Sequence, residues 1–187
     1  MLDIITKTPA GVTAVLSRGG KAVAVEVGSR TREEAKERVT RRFPGEVTAE
    51  GRSAAGRQLR EYFAGKRRAF DIECELEGLG PFQRKALLTA AAKAPFGRTM
   101  TYGELAKAAG SPRAARAVGQ AMASNPVGII IPCHRIVGAD GLGGYSGAGG
   151  TATKKALLAF EGAAAERTAR PLSGGPRRKT PRPAKPR

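Results

Sequence analysis

The hydrophobic pattern of this chain turns from strand alternation to helical spacing near residue 77, and that change constrains its fold class more than any other feature. In Phe70-Asp71-Ile72-Glu73-Cys74-Glu75-Leu76 the apolar residues strictly alternate with acidic ones, which predicts a half-buried strand with Cys74 on its core face and no chemistry assigned to it. Glu77-Gly78-Leu79-Gly80-Pro81 breaks the alternation. Beyond it the apolar residues recur at helical spacing. A mixed strand-and-helix part followed by a mostly helical one predicts a two-domain α+β chain. We divide it into an N-terminal α/β domain (1–77), a mostly helical domain (78–162) and a tail (163–187).

In the first part, Thr13-Ala14-Val15-Leu16 and Ala22 to Val27 read as strands joined by a turn at Arg18-Gly19-Gly20-Lys21. Residues 31–42 and 56–63 read as helices. In the second part, residues 82–93 form a helix that stops before Pro95-Phe96-Gly97. Thr101 and Glu104 form a capping box for a helix at 101–109. Ser111 is the expected cap, and Pro112 the first turn, of another helix running to Ala123. Ser124-Asn125-Pro126 ends that helix, and a last one is expected over 154–161. The pair 101–109 and 112–123 has the size and spacing of a helix-turn-helix; a plain helical hairpin packed through small residues is the alternative. Its second helix presents Ala115, Arg116 and Gly119 on a smooth face suited to phosphate and shape contacts, with few groups able to read base edges.

The formal charge is +17, of which residues 166–187 hold +7 and the rest +10. A basic surface therefore persists without the tail, and nucleic acid is the favoured partner. An anionic membrane surface is the weaker option, because no basic amphipathic helix with large apolar residues occurs. Five prolines and the charge run from Ala163 on predict disorder there. With two cysteines, no signal-like N-terminus and no apolar run of spanning length, we expect a soluble cytoplasmic protein, nucleoid-associated in a prokaryote, without a Cys74–Cys133 disulfide. A single histidine and two distant cysteines leave no zinc constellation, and no phosphate loop or dinucleotide fingerprint occurs. No metal and no cofactor are expected, so the chemistry falls to side chains alone.

That single histidine, His134, directly follows Cys133 in Ile131-Pro132-Cys133-His134-Arg135. A thiol attacks as thiolate, and a neighbouring base or cation raises the thiolate fraction. Cys133 is a candidate nucleophile; a buried structural cysteine beside a chance histidine is the alternative.

Between Phe82 and Gly162 a series of short motifs occurs in fixed order: Pro81-Phe82-Gln83, Pro95-Phe96-Gly97, Thr101-Tyr102-Gly103-Glu104-Leu105-Ala106, Ala114 to Gly119, Ser124-Asn125-Pro126, Ile131 to Arg135, Gly144-Tyr145-Ser146-Gly147 and Phe160-Glu161-Gly162. Together they resemble the O6-alkylguanine-DNA alkyltransferases (methylated-DNA–protein-cysteine methyltransferases). The first part resembles them only loosely, mainly at Tyr62-Phe63-Ala64-Gly65. One departure concerns the helix after Phe82-Gln83. There the family often carries a tryptophan, and this chain has none and runs one residue longer.

The resemblance implies a ribonuclease-H-like N-terminal half and a monomer acting on double-stranded DNA containing alkylated guanine. It implies stoichiometric, single-turnover transfer of the alkyl group from O6 of guanine, and more weakly O4 of thymine, to Cys133. His134, oriented by Glu161, would take the thiol proton through a water, and Tyr102 would protonate the leaving guanine. Because the reacting carbon lies inside the stack, the nucleotide would be flipped out. Arg116 would enter the stack from a helix in the minor groove, and Asn125 would brace the turn leading to the thiol. Tyr145 and Ser146 would close over the base, and backbone carbonyls near Cys133 and Ile136 would accept its amine. From the residues alone, Glu161 near a helix end reads as solvated and Arg116 as an exposed cation. The glycines between 138 and 150 fit either a flexible linker or close backbone approach to a flat base.

Two further readings remain open. A DNA-binding module without chemistry would lack an acceptor cysteine. A thiol hydrolase built on Cys133, His134 and Glu161 would need no basic helix pair.

Overall fold

In the computed structural model, which describes residues 1–162, three strands make one antiparallel sheet in chain order: β1 (Leu2–Ile5), β2 (Val12–Arg18) and β3 (Lys21–Ser29). Arg18 pairs with Lys21 around Gly19 and Gly20, both at positive φ (54° and 81°), the backbone a two-residue hairpin turn demands. The expected hairpin is present with longer strands, and β1 is an addition to it. Helix α1 (Arg32–Arg42) buries Ala35 and Val39 against Leu2, Ala14, Leu16 and Ala24 on one sheet face. Helix α2 (Ala54–Phe63) contributes Ala55, Leu59 and Tyr62 to the core under the other. Thr31 and Ser53 cap these helices, accepting from the N–H groups of Glu34 (3.1 Å) and Gly56 (2.9 Å); each such cap contributes roughly 1 kcal/mol.

The strand expected over 70–76 is reduced to a single bridge between Cys74 and Ala22. Ala22 donates to Glu73 O and accepts from Glu75 N, both at 2.8 Å. The burial pattern survives: Leu76 is buried, Phe70, Ile72 and Cys74 are half-buried, and Asp71 and Glu73 are exposed. Pairing stops because the same edge of β3 serves a second segment, Val25 N–H donating to Pro126 O at 2.8 Å. The sheet edge is thus divided between the chain's midsection and the segment that leads to Cys133.

Helix α3 (Pro81–Lys93) begins with proline, whose missing N–H costs nothing there. Strand β4 (Met100–Thr101) pairs in parallel with β5 (Ile136–Val137). Helix α4 (Tyr102–Ala108) carries the expected capping box, with Thr101 and Glu104 bonded reciprocally at 3.1 and 2.7 Å. Helix α5 (Ala115–Ala123) starts three residues later than expected. Ser111 does not cap it; its carbonyl accepts from Ala114 N–H in a turn, and no side chain caps the helix. Helix α6 (Gly150–Phe160) starts four residues earlier than expected, after Gly149 at φ 75°. Helices α3, α4 and α5 pack on one another. A single buried cluster joins Val15, Val25 and Tyr62 to Leu105, Ile129 and Leu157. No helix among the described residues is long and apolar enough to cross a membrane. The tail at 163–187 lies outside the described residues.

Candidate functional site

The apolar segment between α5 and β5 forms isolated bridges and a turn instead of a strand. Ile129, fully buried and β-branched, has φ 71°, a conformation such residues adopt only under strong external constraint. Two clamps supply it. Val127 is tied to β3 through the bridge to Val25. Asn125, buried, accepts from Val127 N–H (3.1 Å) and donates its amide to Ile131 O (2.8 Å). The backbone then turns through a short 3₁₀ helix, Cys133–Arg135, and enters β5. Because β5 pairs with β4, the thiol segment lies beside the start of α4.

There Cys133 and Tyr102 line one cavity of about 360 Å³, together with Gly119 and Met122 of α5 and Tyr145 and Ser146 of the following loop. Asn125 lines a narrow crevice that joins Cys133 and Tyr145 to β3. The glycines of the loop serve close packing here: a Cβ on Gly143, which has φ 67°, would stand 2.9 Å from the Tyr102 ring, and one on Gly147 would strike the Tyr145 ring. The Arg116 side chain is exposed on the first turn of α5 beside half-buried Ala115, and it makes no hydrogen bond or ion pair within the described residues. Neither residue lines the cavity.

Behind the thiol lies a buried charge cluster. His134 and Glu161 have fully buried side chains, and His134 Nε2 stands 3.0 Å from Glu161 Oε1. With a carboxylate at Nε2, that nitrogen carries the proton and Nδ1 keeps its lone pair. Nδ1 has no partner within the described residues. Glu161 also accepts from both Nε (2.9 Å) and Nη2 (2.8 Å) of Arg135, from Tyr62 Oη (2.7 Å) and from Gly97 N–H (3.2 Å). Arg135 Nη1 donates to Ala94 O at 2.7 Å. Glu161 is therefore a buried hub, not the solvated helix end its sequence context suggests.

Protonation states follow from these contacts. Burial alone would raise the Glu161 pKa, but hydrogen bonds from His134 and Arg135 outweigh it and bring the group down to about 2. Burial lowers the His134 pKa despite Glu161, so the ring is neutral and able to accept a proton. Burial raises the Cys133 pKa, opposed by Asn125 and by the charge of Lys154. The free thiol is thus protonated, against the expectation that its neighbours raise the thiolate fraction: desolvation of an anion outweighs them. Tyr102 is held above its ordinary value by partial burial and by nearby Cys133, and keeps its proton.

Three residues of the site escaped the sequence reading. Arg135 and Tyr62 bind Glu161. Lys154, fully buried, donates to Ile136 O (2.6 Å) and Gly144 O (3.1 Å), with Nζ 5.8 Å from the centre of the Tyr102 ring. It ties the thiol segment to the loop that holds Tyr145. Burial drops its pKa to about 8. The Ile136 carbonyl, an expected acceptor for a base, is already engaged by this lysine. Among local signals, only a lysine amid the apolar residues of α6 hinted at such a role.

A family model described as the DNA-binding domain of 6-O-methylguanine DNA methyltransferase matches residues 81–163. The chain is 50% identical over 109 residues to a methylated-DNA–protein-cysteine methyltransferase of Methanosarcina acetivorans, a match covering 58% of this chain and 67% of the relative. It is 51% identical over 112 residues to the Mycobacterium tuberculosis protein of that name, covering 58% of this chain but 64% of the relative. The crystal structure of Mycobacterium tuberculosis OGT in complex with DNA superposes with a TM-score of 0.67 at 35% identity, covering 86% of this chain and 92% of the other. Sequence and fold agree: the chain belongs to the O6-methylguanine-DNA methyltransferase family.

Proposed function

We propose that this protein repairs O6-alkylguanine in double-stranded DNA, and more weakly O4-alkylthymine, by a single irreversible transfer of the alkyl group to Cys133. The observation that carries the reading is a buried thiol facing a base-sized cavity with a neutral histidine behind it and a protonated phenol at its side. His134 Nδ1, its lone pair fixed by Glu161, takes the thiol proton through a water. The sulfur attacks the alkyl carbon, the carbon–O6 bond breaks, and the electron pair passes into the purine ring. Tyr102 donates a proton to that ring as charge develops. Overall, thiol and O6-alkylguanine become thioether and guanine, so the sulfur's proton is balanced by the one the guanine gains. Water does not cleave a thioether, and each molecule acts once.

A buried, protonated thiol suits such an event. It resists adventitious oxidation until a bound base brings the reacting carbon to it. We assign the flipping of the nucleotide to α4 and α5 acting as a helix-turn-helix in the minor groove, with Ala115 and Gly119 allowing close approach and Arg116 filling the vacated stack. Tyr145 and Ser146 close over the everted base. In this reading residues 78–162 carry DNA binding and chemistry, residues 1–77 form the ribonuclease-H-like half, and the protein works as a cytoplasmic monomer.

Titrating the protein with duplex carrying radiolabelled O6-methylguanine tests the proposal. Protein-bound label should plateau at one methyl per molecule. Continued repair beyond that equivalence, or hydrolysis of thioesters without DNA, would favour a turnover enzyme instead.

A further inference from the structure

Tyr62 lies 99 residues before Glu161 in the chain and in the other half of the fold, yet its hydroxyl donates to Glu161 Oε1 at 2.7 Å. That oxygen is the one His134 Nε2 faces. The ring that delivers the hydroxyl is fully buried and wedged edge-on among Phe63, Phe96 and Phe160, with centroids 5.1, 5.9 and 5.3 Å away. These neighbours come from both halves of the chain and leave the phenol little freedom. Packing alone does not require a hydroxyl here; phenylalanine would fill the same space. The oxygen is placed where it competes with the imidazole for one carboxylate lone-pair region.

We infer that Tyr62 is a positioning residue through which the N-terminal half sets the basicity of His134, by sharing the carboxylate oxygen that orients the imidazole. The inference rests on the reading of His134 as the base. A donor on Oε1 disperses the carboxylate's charge and weakens its pull on the Nε2 proton. His134 is thereby kept a weaker base, neutral over a wider range. The other groups around the pair are fixed contributors: Arg135 spans both carboxylate oxygens, Gly97 N–H holds Oε2, and the charge of Lys154 opposes protonation of the ring. Cys133 and Tyr145 lie on the cavity side.

The test is Tyr62→Phe, with Tyr62→Leu as a packing control that also removes the ring. His134 is the chain's only histidine, so its ring N–H proton can be assigned without ambiguity by NMR at neutral pH. In Tyr62→Phe that resonance should move downfield as the bond to Glu161 tightens. The acid limb of the single-turnover methyl-transfer rate should move up by about one pH unit, the scale of one hydrogen bond to a charged group. Tyr62→Leu should show the same two shifts with an added loss of thermal stability. An unmoved resonance and an unmoved limb in Tyr62→Phe would overturn the inference and make the residue a packing element. A moved resonance with an unmoved limb would instead remove His134 as the base, and with it any catalytic meaning of Tyr62.

Discussion

Arg135 grips both carboxylate oxygens of Glu161, Nε 2.9 Å from Oε2 and Nη2 2.8 Å from Oε1, in a site almost closed to solvent. This pair decides what Glu161 can do. A carboxylate neutralised by guanidinium is a poor proton acceptor, so it orients His134 and does not take the proton itself.

Replacing Glu161 by glutamine should therefore cost stability as well as activity, because Arg135 is left buried without its counter-charge. We expect a loss of about 3–5 kcal/mol in denaturant unfolding, and transfer too slow to follow in the normal assay. In the native protein Glu161 has a pKa of about 2 against an ordinary 4.5. A carboxylate lowered by folding stabilises the fold above its unfolded pKa. That contribution disappears as pH falls from 4.5 toward 2. The slope of stability against pH in this window should flatten in Glu161→Gln, as read by denaturant midpoints.

Lys154 gives the same sign in an alkaline window. Its pKa falls from 10.5 to about 8 on folding, so between those values the unfolded chain binds more protons. Stability at this position therefore rises as pH increases from 8 to 10.5. Lys154→Met should be free of that rise, seen as the wild type minus variant difference in unfolding free energy. Transfer by the variant should be slowed, since the loop at Gly144 loses its tie to Ile136 and the thiolate loses a cation that favours it. A pH-independent difference would show that the lysine is not buried as a charge.

In the proposed function Arg116 bears on flipping rather than on the fold. Its exposed side chain makes no hydrogen bond or ion pair within the described residues, so Arg116→Ala should leave the unfolding midpoint unchanged. If it substitutes for the everted base, transfer from duplex should slow by about 30-fold, equivalent to about 2 kcal/mol of unstacking. Transfer from the free modified base should be unaffected.

The tail predicts a salt effect. Removing residues 166–187 takes away +7 of charge, and the slope of log affinity against log salt should become shallower without a change in lesion preference. Equal slopes for the two proteins would mean that the tail does not touch DNA.

The parts of this fold that were legible in the sequence are those with a local cause. The Gly19-Gly20 turn, the Thr101–Glu104 capping box and the break at Glu77–Pro81 before α3 each depend on neighbours a few residues away. Local signals misled at Ser111, whose backbone rather than side chain makes the turn, and at 70–76, where the alternation holds but β3 offers only one residue to pair with. β4 and β5, two residues each, are too short for any periodicity to register. Cys133 and His134 were legible as candidates from their adjacency, and Tyr102 only through the family resemblance. The burial of Glu161 was not, because its partners lie 26, 27, 64 and 99 residues away and only the packed core brings them together. Tyr62, Arg135 and Lys154 were missed for the same reason.

In the proposed reaction the sulfur of Cys133 is the final resting place of the alkyl group. Intact-mass and peptide spectrometry after incubation with O6-methylguanine duplex measures this directly. We predict a gain of one methyl group on the peptide containing Cys133, none on that containing Cys74, and none in Cys133→Ala. Repaired DNA alongside an unmodified Cys133 would contradict it.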